Sequence, residues 1–322
     1  MDNYRLNKAG LLVPRVRDLH LLIDDGGDSE LDFVGFTVVL LDESAYRELE
    51  KKVDELCRKE HISVLHSRAL ALSDGTLDDM TTYERIYRSL FQIAIHELRR
   101  ANFQRVLSFL TSQAMITSVF SAHTQAFEKN EKLPQGARLA KKYRELYSYI
   151  AFPTIELLKK AKGIDEDMQL YIHIDRKKNF QNLAEEKVSL AGSSVGALLT
   201  VKEAIAIILN SWKKLFLKVS ARIKQIHITD SANFPLIGVA DAFSNFSLNF
   251  ARVILKGEQN SSATQKMKYR LFREVVTTMI DEDPSSIDAI ENSIGTGFRF
   301  DGKKIIPLTN NPVSTFEISR GI

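Results

Sequence analysis

Residues 19–28 read LHLLIDDGGD, and the rest of the chain is organised outward from them. A short apolar run meets two aspartates and two glycines, as a central strand does where it stops at a polar turn. Residues 33–41, FVGFTVVLL, are rich in β-branched and aromatic types. The two runs therefore predict an antiparallel pair joined through DDGGDSELD (24–32), with DDGGD (24–28) as the turn.

Beyond this hairpin the pattern changes. Residues 43–59 predict a helix, and HISVLHS (61–67) a short third strand. A helix runs to residue 100 from a capping box at Thr81 and Glu84, with Tyr83, Ile86, Tyr87, Leu90, Ile93, Ala94 and Leu98 as its apolar stripe. QRVLSFLT (104–111) predicts a strand, and 137–162 a long amphipathic helix kinked at Pro153. QLYIHID (169–175) alternates, with Leu170, Ile172 and Ile174 on one face and Tyr171, His173 and Asp175 on the other. A buried helix at 195–217, a strand at 222–229 and an apolar helix at 236–255 follow, and FRFDGKKI (298–305) predicts a hairpin around its DG.

A hairpin followed by alternating strands and helices implies an α/β fold, a mixed sheet covered by helices. Only 15 Gly and 7 Pro occur in 322 residues, and no linker-like stretch divides the chain. The expected organisation is an N-terminal arm (1–17), one elaborated domain (18–256) and a C-terminal extension of helix and hairpin (257–322).

Lys and Arg total 44 against 41 Asp and Glu, so net charge alone points to no polyanionic partner and any nucleic-acid groove must be a local patch. Cys57 is the sole cysteine, which excludes an intrachain disulfide and a cysteine-based zinc site. The first residues lack the apolar core of a secretion signal, and no apolar run approaches a membrane span. A cytoplasmic protein with no membrane partner is the expectation.

Three aspartates fall at comparable places: Asp24 and Asp175 at strand ends, Asp241 within a late helix. Strand ends are where open α/β sheets hold their ligands. Asp241 interrupts PLIGVADAFSNFSLNF (235–250), where a lone buried charge would be expensive. The plainer reading turns that helix face to solvent, and for Asp24 and Asp175 it is a hydrogen bond closing a turn.

Three stretches resemble the family called domain of unknown function 3800, whose members are ribonuclease H-like. LIDDGGD (22–28) is similar to its opening strand motif, IHIDRKKN (172–179) to a later strand ending in Asp, and ITDSANFPLIGVADAFSN (228–245) to its closing strand, loop and helix. A fourth, weaker likeness is LHSRAL (65–70), where His66 matches a common histidine. The resemblance implies a ribonuclease H-like fold and a magnesium- or manganese-dependent nuclease-like site. It implies Asp24, Asp175 and Asp241 as catalytic residues and metal ligands, with Asp25 or Asp28 as helpers and nucleic acid as partner; His66, Lys178 and Asp230 are further candidate helpers. Two ions about 4 Å apart would activate water and stabilise the leaving oxygen. Arg176, Lys177 and Lys178 would hold phosphate or form a solvated basic turn. The chain departs from the family at Asp25, often Glu, at Gly26, often Ser, and at Gly238, near a frequent Gln. By strand count Asp175 falls on the fifth strand, whereas a ribonuclease H arrangement takes this carboxylate from the fourth.

Other signals weigh less. The same fold without catalysis would serve as a nucleic-acid or protein interaction module. Gly192, Ser194 and Gly196 fit the serine-hydrolase elbow, but Glu203 and His227 are the only downstream acid and histidine in order, and Glu203 lies in the helix after the serine. A calcium loop starting at Asp24 needs Glu at its twelfth position, where Gly35 stands. His20, His66, His173 and His227 show no metal-ligand spacing and read as core or strand-face residues, with His66 or His173 the two that could line the site, and Trp212 reads as core.

Overall fold

The computed structural model describes residues 4–6, 12–14, 17–28, 33–65, 77–98, 105–112, 143–160, 164, 168–175, 177, 179–189, 198–217, 219, 221–282, 298–300, 305–307, 314–315 and 317–318. Its elements in order are β1 (Tyr4–Leu6), β2 (Leu12–Pro14), β3 (Arg17–Asp28), β4 (Phe33–Asp42), α1 (Glu43–Lys59), α2 (Leu77–Leu98), β5 (Arg105–Ser112) and α3 (Arg144–Lys160). There follow β6 (Met168–Asp175), α4 (Phe180–Glu185), β7 (Lys187–Ser189), β8 (Leu198–Thr200), α5 (Val201–Phe216), β9 (Arg222–Thr229), α6 (Ile237–Lys256) and α7 (Ala263–Glu282). Four short strands close the chain: β10 (Phe298–Phe300), β11 (Ile305–Pro307), β12 (Ser314–Thr315) and β13 (Glu317–Ile318).

The main sheet has the order β12-β5-β4-β3-β6-β9. The neighbours β3, β4 and β5 are antiparallel, while β6 and β9 join parallel to β3 through helical crossovers. The protein is thus α/β, with a mixed sheet flanked by helices. Alternation along the strands divides the core. Leu19, Leu21 and Ile23 of β3 with Leu170, Ile172 and Ile174 of β6 bury against α3 and α5. On the other face Leu22 packs with residues of α1, α2, α6 and α7. Trp212 is buried in the first of these cores.

Three expectations need correction. DDGGD is not the turn: β3 runs through it to Asp28, with Gly26 opposite Gly35 and Asp28 opposite Phe33 on β4. The antiparallel ladder overrides the low strand propensity of Asp and Gly, and two facing glycines put no side chains in the way. The strand expected at 61–67 is absent from its described part, 61–65. There His61 is left-handed (φ 53°) and Ile62 returns its N–H to the Cys57 carbonyl at 2.8 Å, so these residues are used to end α1. Among the described residues, Asp175 then lies on the fourth of the long strands counted from β3. Finally, Thr81 is no cap, because α2 already begins at Leu77.

The extension is joined to the domain. α7 packs on α6 and α2, and β12 pairs with β5 at the edge of the main sheet. The expected hairpin forms as β10 with β11. Among the described residues no helix is long and apolar enough to cross a membrane.

Candidate functional site

Parallel pairing sets Ile23 of β3 beside Ile174 of β6, so Asp24 and Asp175 are the next residues of two neighbouring strands. β6 then stops, while β3 continues along β4. The notch this leaves at the strand ends is where a crossover sheet opens to ligands.

Asp241 arrives from the helical layer. Asp241, Ser244 and Leu248 share one stripe of α6 by their i, i+3, i+7 spacing, and this stripe lies over β3. Gly26 makes the approach possible. A Cβ there would stand 3.1 Å from Leu248 Cδ2 and 3.4 Å from Ser244 Oγ. Gly238 does the same at the start of α6, where a Cβ would come within 2.3 Å of the Leu65 carbonyl oxygen. A glutamine at that position is incompatible with this packing.

Asp24 is 5% exposed. Burial first, then the charges of Asp241, Asp25 and Asp175, push its carboxyl well above the usual carboxylate range, against a stabilising hydrogen bond from the Asp25 backbone. Tyr149 of α3 donates its hydroxyl to Asp24 Oδ1 at 3.3 Å. Burial and the same acids, Asp24, Asp25 and Asp175, raise the pKa of that phenol. Asp241 of α6, Asp25 of β3 and Asp175 of β6 thus each act on Asp24.

Two lysines border them. A turn after β6, with Asn179 left-handed and the Phe180 N–H bonded to the Lys177 carbonyl at 3.0 Å, carries Lys177 back over the site. Its ammonium pairs with Asp25 Oδ2 and lies 4.6 Å from the Tyr149 ring centroid. Lys177, expected in a phosphate-holding or solvated turn, is thus paired with Asp25 while its side chain stays partly exposed. On the opposite side Lys268 of α7, 6% exposed, donates to Asn245 Oδ1 at 2.6 Å. Burial lowers its pKa to about 8, Asp241 holding it up and Arg252 adding to the fall.

The sheet face that carries Asp24 and Asp175 also carries a column of histidines. His20 Nε2 donates to Glu43 at 2.5 Å, because a carboxylate can only accept. His20 Nδ1 must then accept from His173 Nε2, 3.1 Å away. His173 stacks on His227 with ring centroids 4.8 Å apart, and His20 on Tyr46 at 3.8 Å. Sequence spacing missed this group, since its members come from three strands. The signal that finds it is alternation combined with parallel register: His20 shares a face with Asp24, and His173, opposite His227, shares one with Asp175.

The structure brings together Asp24, Asp25, Asp175 and Asp241. Asp230 is occupied in the turn after β9, its Oδ1 accepting from the Ala232 N–H at 3.0 Å. The Asp28 backbone pairs with Phe33. His66, Arg176, Lys178 and Ser194, with its two glycines, lie outside the described residues, as does the Asp28 side chain. Of the acid and histidine a Ser194 hydrolase would need, Glu203 closes a capping box with Thr200 and His227 belongs to the histidine column.

Oxygen-only donors at a buried, mutually repelling set of carboxylates suit a hard divalent cation in kind and in charge. Among the described residues no three His, Cys, Asp or Glu side chains form a group able to hold a metal ion as they stand. The fit is one of donor chemistry and charge, and magnesium, which keeps much of its water, needs only one or two carboxylates directly. Comparisons of the chain with protein-family models, with curated proteins and with solved structures returned no match.

Proposed function

We propose that the chain is a divalent-metal-dependent, nuclease-like hydrolase of phosphodiester bonds on a ribonuclease H-like fold. The observation that carries this reading is the buried Asp24 carboxyl, on which Asp241, Asp25 and Asp175 converge from three elements. Isolated like charges are seldom packed in this way unless a cation offsets them. The origin of Asp175 on the fourth long strand supports the ribonuclease H-like resemblance.

In this reading Asp24, Asp175 and Asp241 hold magnesium or manganese. The bound metal supplies an activated water and charge stabilisation for the leaving oxygen of an in-line displacement. Tyr149 orients Asp24 through its hydroxyl, and Lys177 holds Asp25 in an ion pair. The substrate class is nucleic acid, whose phosphates would approach the notch beyond β6.

The test is manganese-dependent cleavage of single- and double-stranded DNA and RNA by the wild type and by Asp24→Asn, Asp175→Asn and Asp241→Asn. Cleavage by the wild type alone, with all four proteins folded, is expected. Equal activity in the variants would remove the aspartates from the chemistry. Binding of nucleic acid with no cleavage in any of the four would leave a non-catalytic interaction module on the same fold.

A further inference from the structure

Asp241 and Asn245 are one turn apart on α6, so their side chains are neighbours on the helix surface. Lys268 reaches Asn245 Oδ1 at 2.6 Å, which fixes its ammonium one turn from Asp241. The same nitrogen lies 5.5 Å from the Tyr83 ring centroid and 5.7 Å from that of Phe246. Few lysines are buried to 6% exposure, and this one is held by a carbonyl oxygen and two aromatic faces in place of water. On the far side of the cluster Lys177 is already paired with Asp25.

We infer that the site takes one divalent cation, and that Lys268, delivered by α7, supplies beside Asp241 the positive charge a second ion would bring. This rests on the metal-dependent reading given above. A fixed ammonium one helical turn from Asp241 repels a dication approaching from that side, and its burial at 6% exposure weakens the screening that bulk water would give. Asp24, bordered by Asp25 and Asp175, remains the place where a cation is most strongly favoured. A second observation points to a ligand there. Ser244 Oγ is buried, has no hydrogen-bond partner, and lies between α6 and Gly26, one turn from Asp241. It offers a hydroxyl to the water shell of one hydrated ion. The extension thereby becomes part of the site, with α7 holding the charge balance.

Manganese titrated into the full chain, counted by native mass spectrometry and calorimetry, should read one ion per chain. Lys268→Met keeps the length and apolar contacts of the side chain and removes its charge. It should admit a second ion or hold the single ion at least about tenfold more tightly. Lys268→Arg, which keeps the charge, should stay at one ion with wild-type affinity. Two ions in the wild type would overturn the inference while leaving the metal-dependent reading standing. No ion in the folded wild type would overturn both. One ion at unchanged affinity in folded Lys268→Met would remove Lys268 from the charge balance.

Discussion

Tyr149 and Asp24 meet oxygen to oxygen at 3.3 Å, the phenol of α3 reaching a carboxylate of β3, a strand on which α6 packs. That hydrogen bond favours the ionised acid. Tyr149→Phe should therefore lower stability by about 1 kcal/mol at pH 8, with a smaller loss at pH 5, because falling pH moves Asp24 towards the protonated form that the bond favours less. Urea denaturation at the two pH values checks the difference.

Asp24→Asn should stabilise the metal-free protein. The Asp24 pKa is raised in the folded state, first by burial and then by Asp241, Asp25 and Asp175, so its favourable contribution is present in acid and is lost as pH rises through the folded value. Asparagine removes that loss. A gain at pH 8 that fades towards pH 4 is the expected profile, read from denaturation midpoints. A variant less stable than wild type at pH 8 would contradict it.

The histidine column gives the opposite slope. Burial, then the neighbouring His227 and His20, holds His173 down at about 3, against an ordinary 6.5. A depressed value means that stability is complete above pH 6.5 and falls as the unfolded chain takes up the proton the folded one refuses. The loss is about 1.4 kcal/mol per pH unit below 6.5 for this group. His173→Phe keeps the stack on His227 and Phe234 and removes the titration. Its stability should be flatter between pH 6 and pH 4, as measured by chemical denaturation.

The two glycines under α6 should differ in tolerance. Gly238→Ala drives a methyl onto the Leu65 carbonyl oxygen, a backbone atom that cannot rotate away, and should cost roughly 2–3 kcal/mol. Gly26→Ala meets the tip of Leu248 and the Ser244 hydroxyl, which can give, and should cost about 1 kcal/mol or less. Thermal melting of the two variants side by side gives the ranking.

Much of the architecture was legible in local pattern. Alternation in QLYIHID fixed the facing of Asp175, and the charge within PLIGVADAFSNF marked Asp241 as a residue needing a partner. The stretch 61–67 was misread because a left-handed residue ending a helix leaves no trace in hydrophobic spacing. DDGGD was misread because pairing with β4, a tertiary fact, kept it extended. Tyr149, Lys268 and the histidine column belong to distant elements: Tyr149 and the histidines read locally as core or strand-face residues, and Lys268, within TQKMKYR (264–270), reads as surface.

Asp24 lies on the first long strand to leave the ribosome, and Asp241 on a helix made only after every other long strand of the sheet. The charge cluster is therefore assembled late, once the long-range contacts between α6 and β3 have closed. A nascent or truncated chain ending before α6 lacks the acid that completes it. On the proposed reading, metal uptake by the growing chain would therefore report that α6 has been made and has docked on β3.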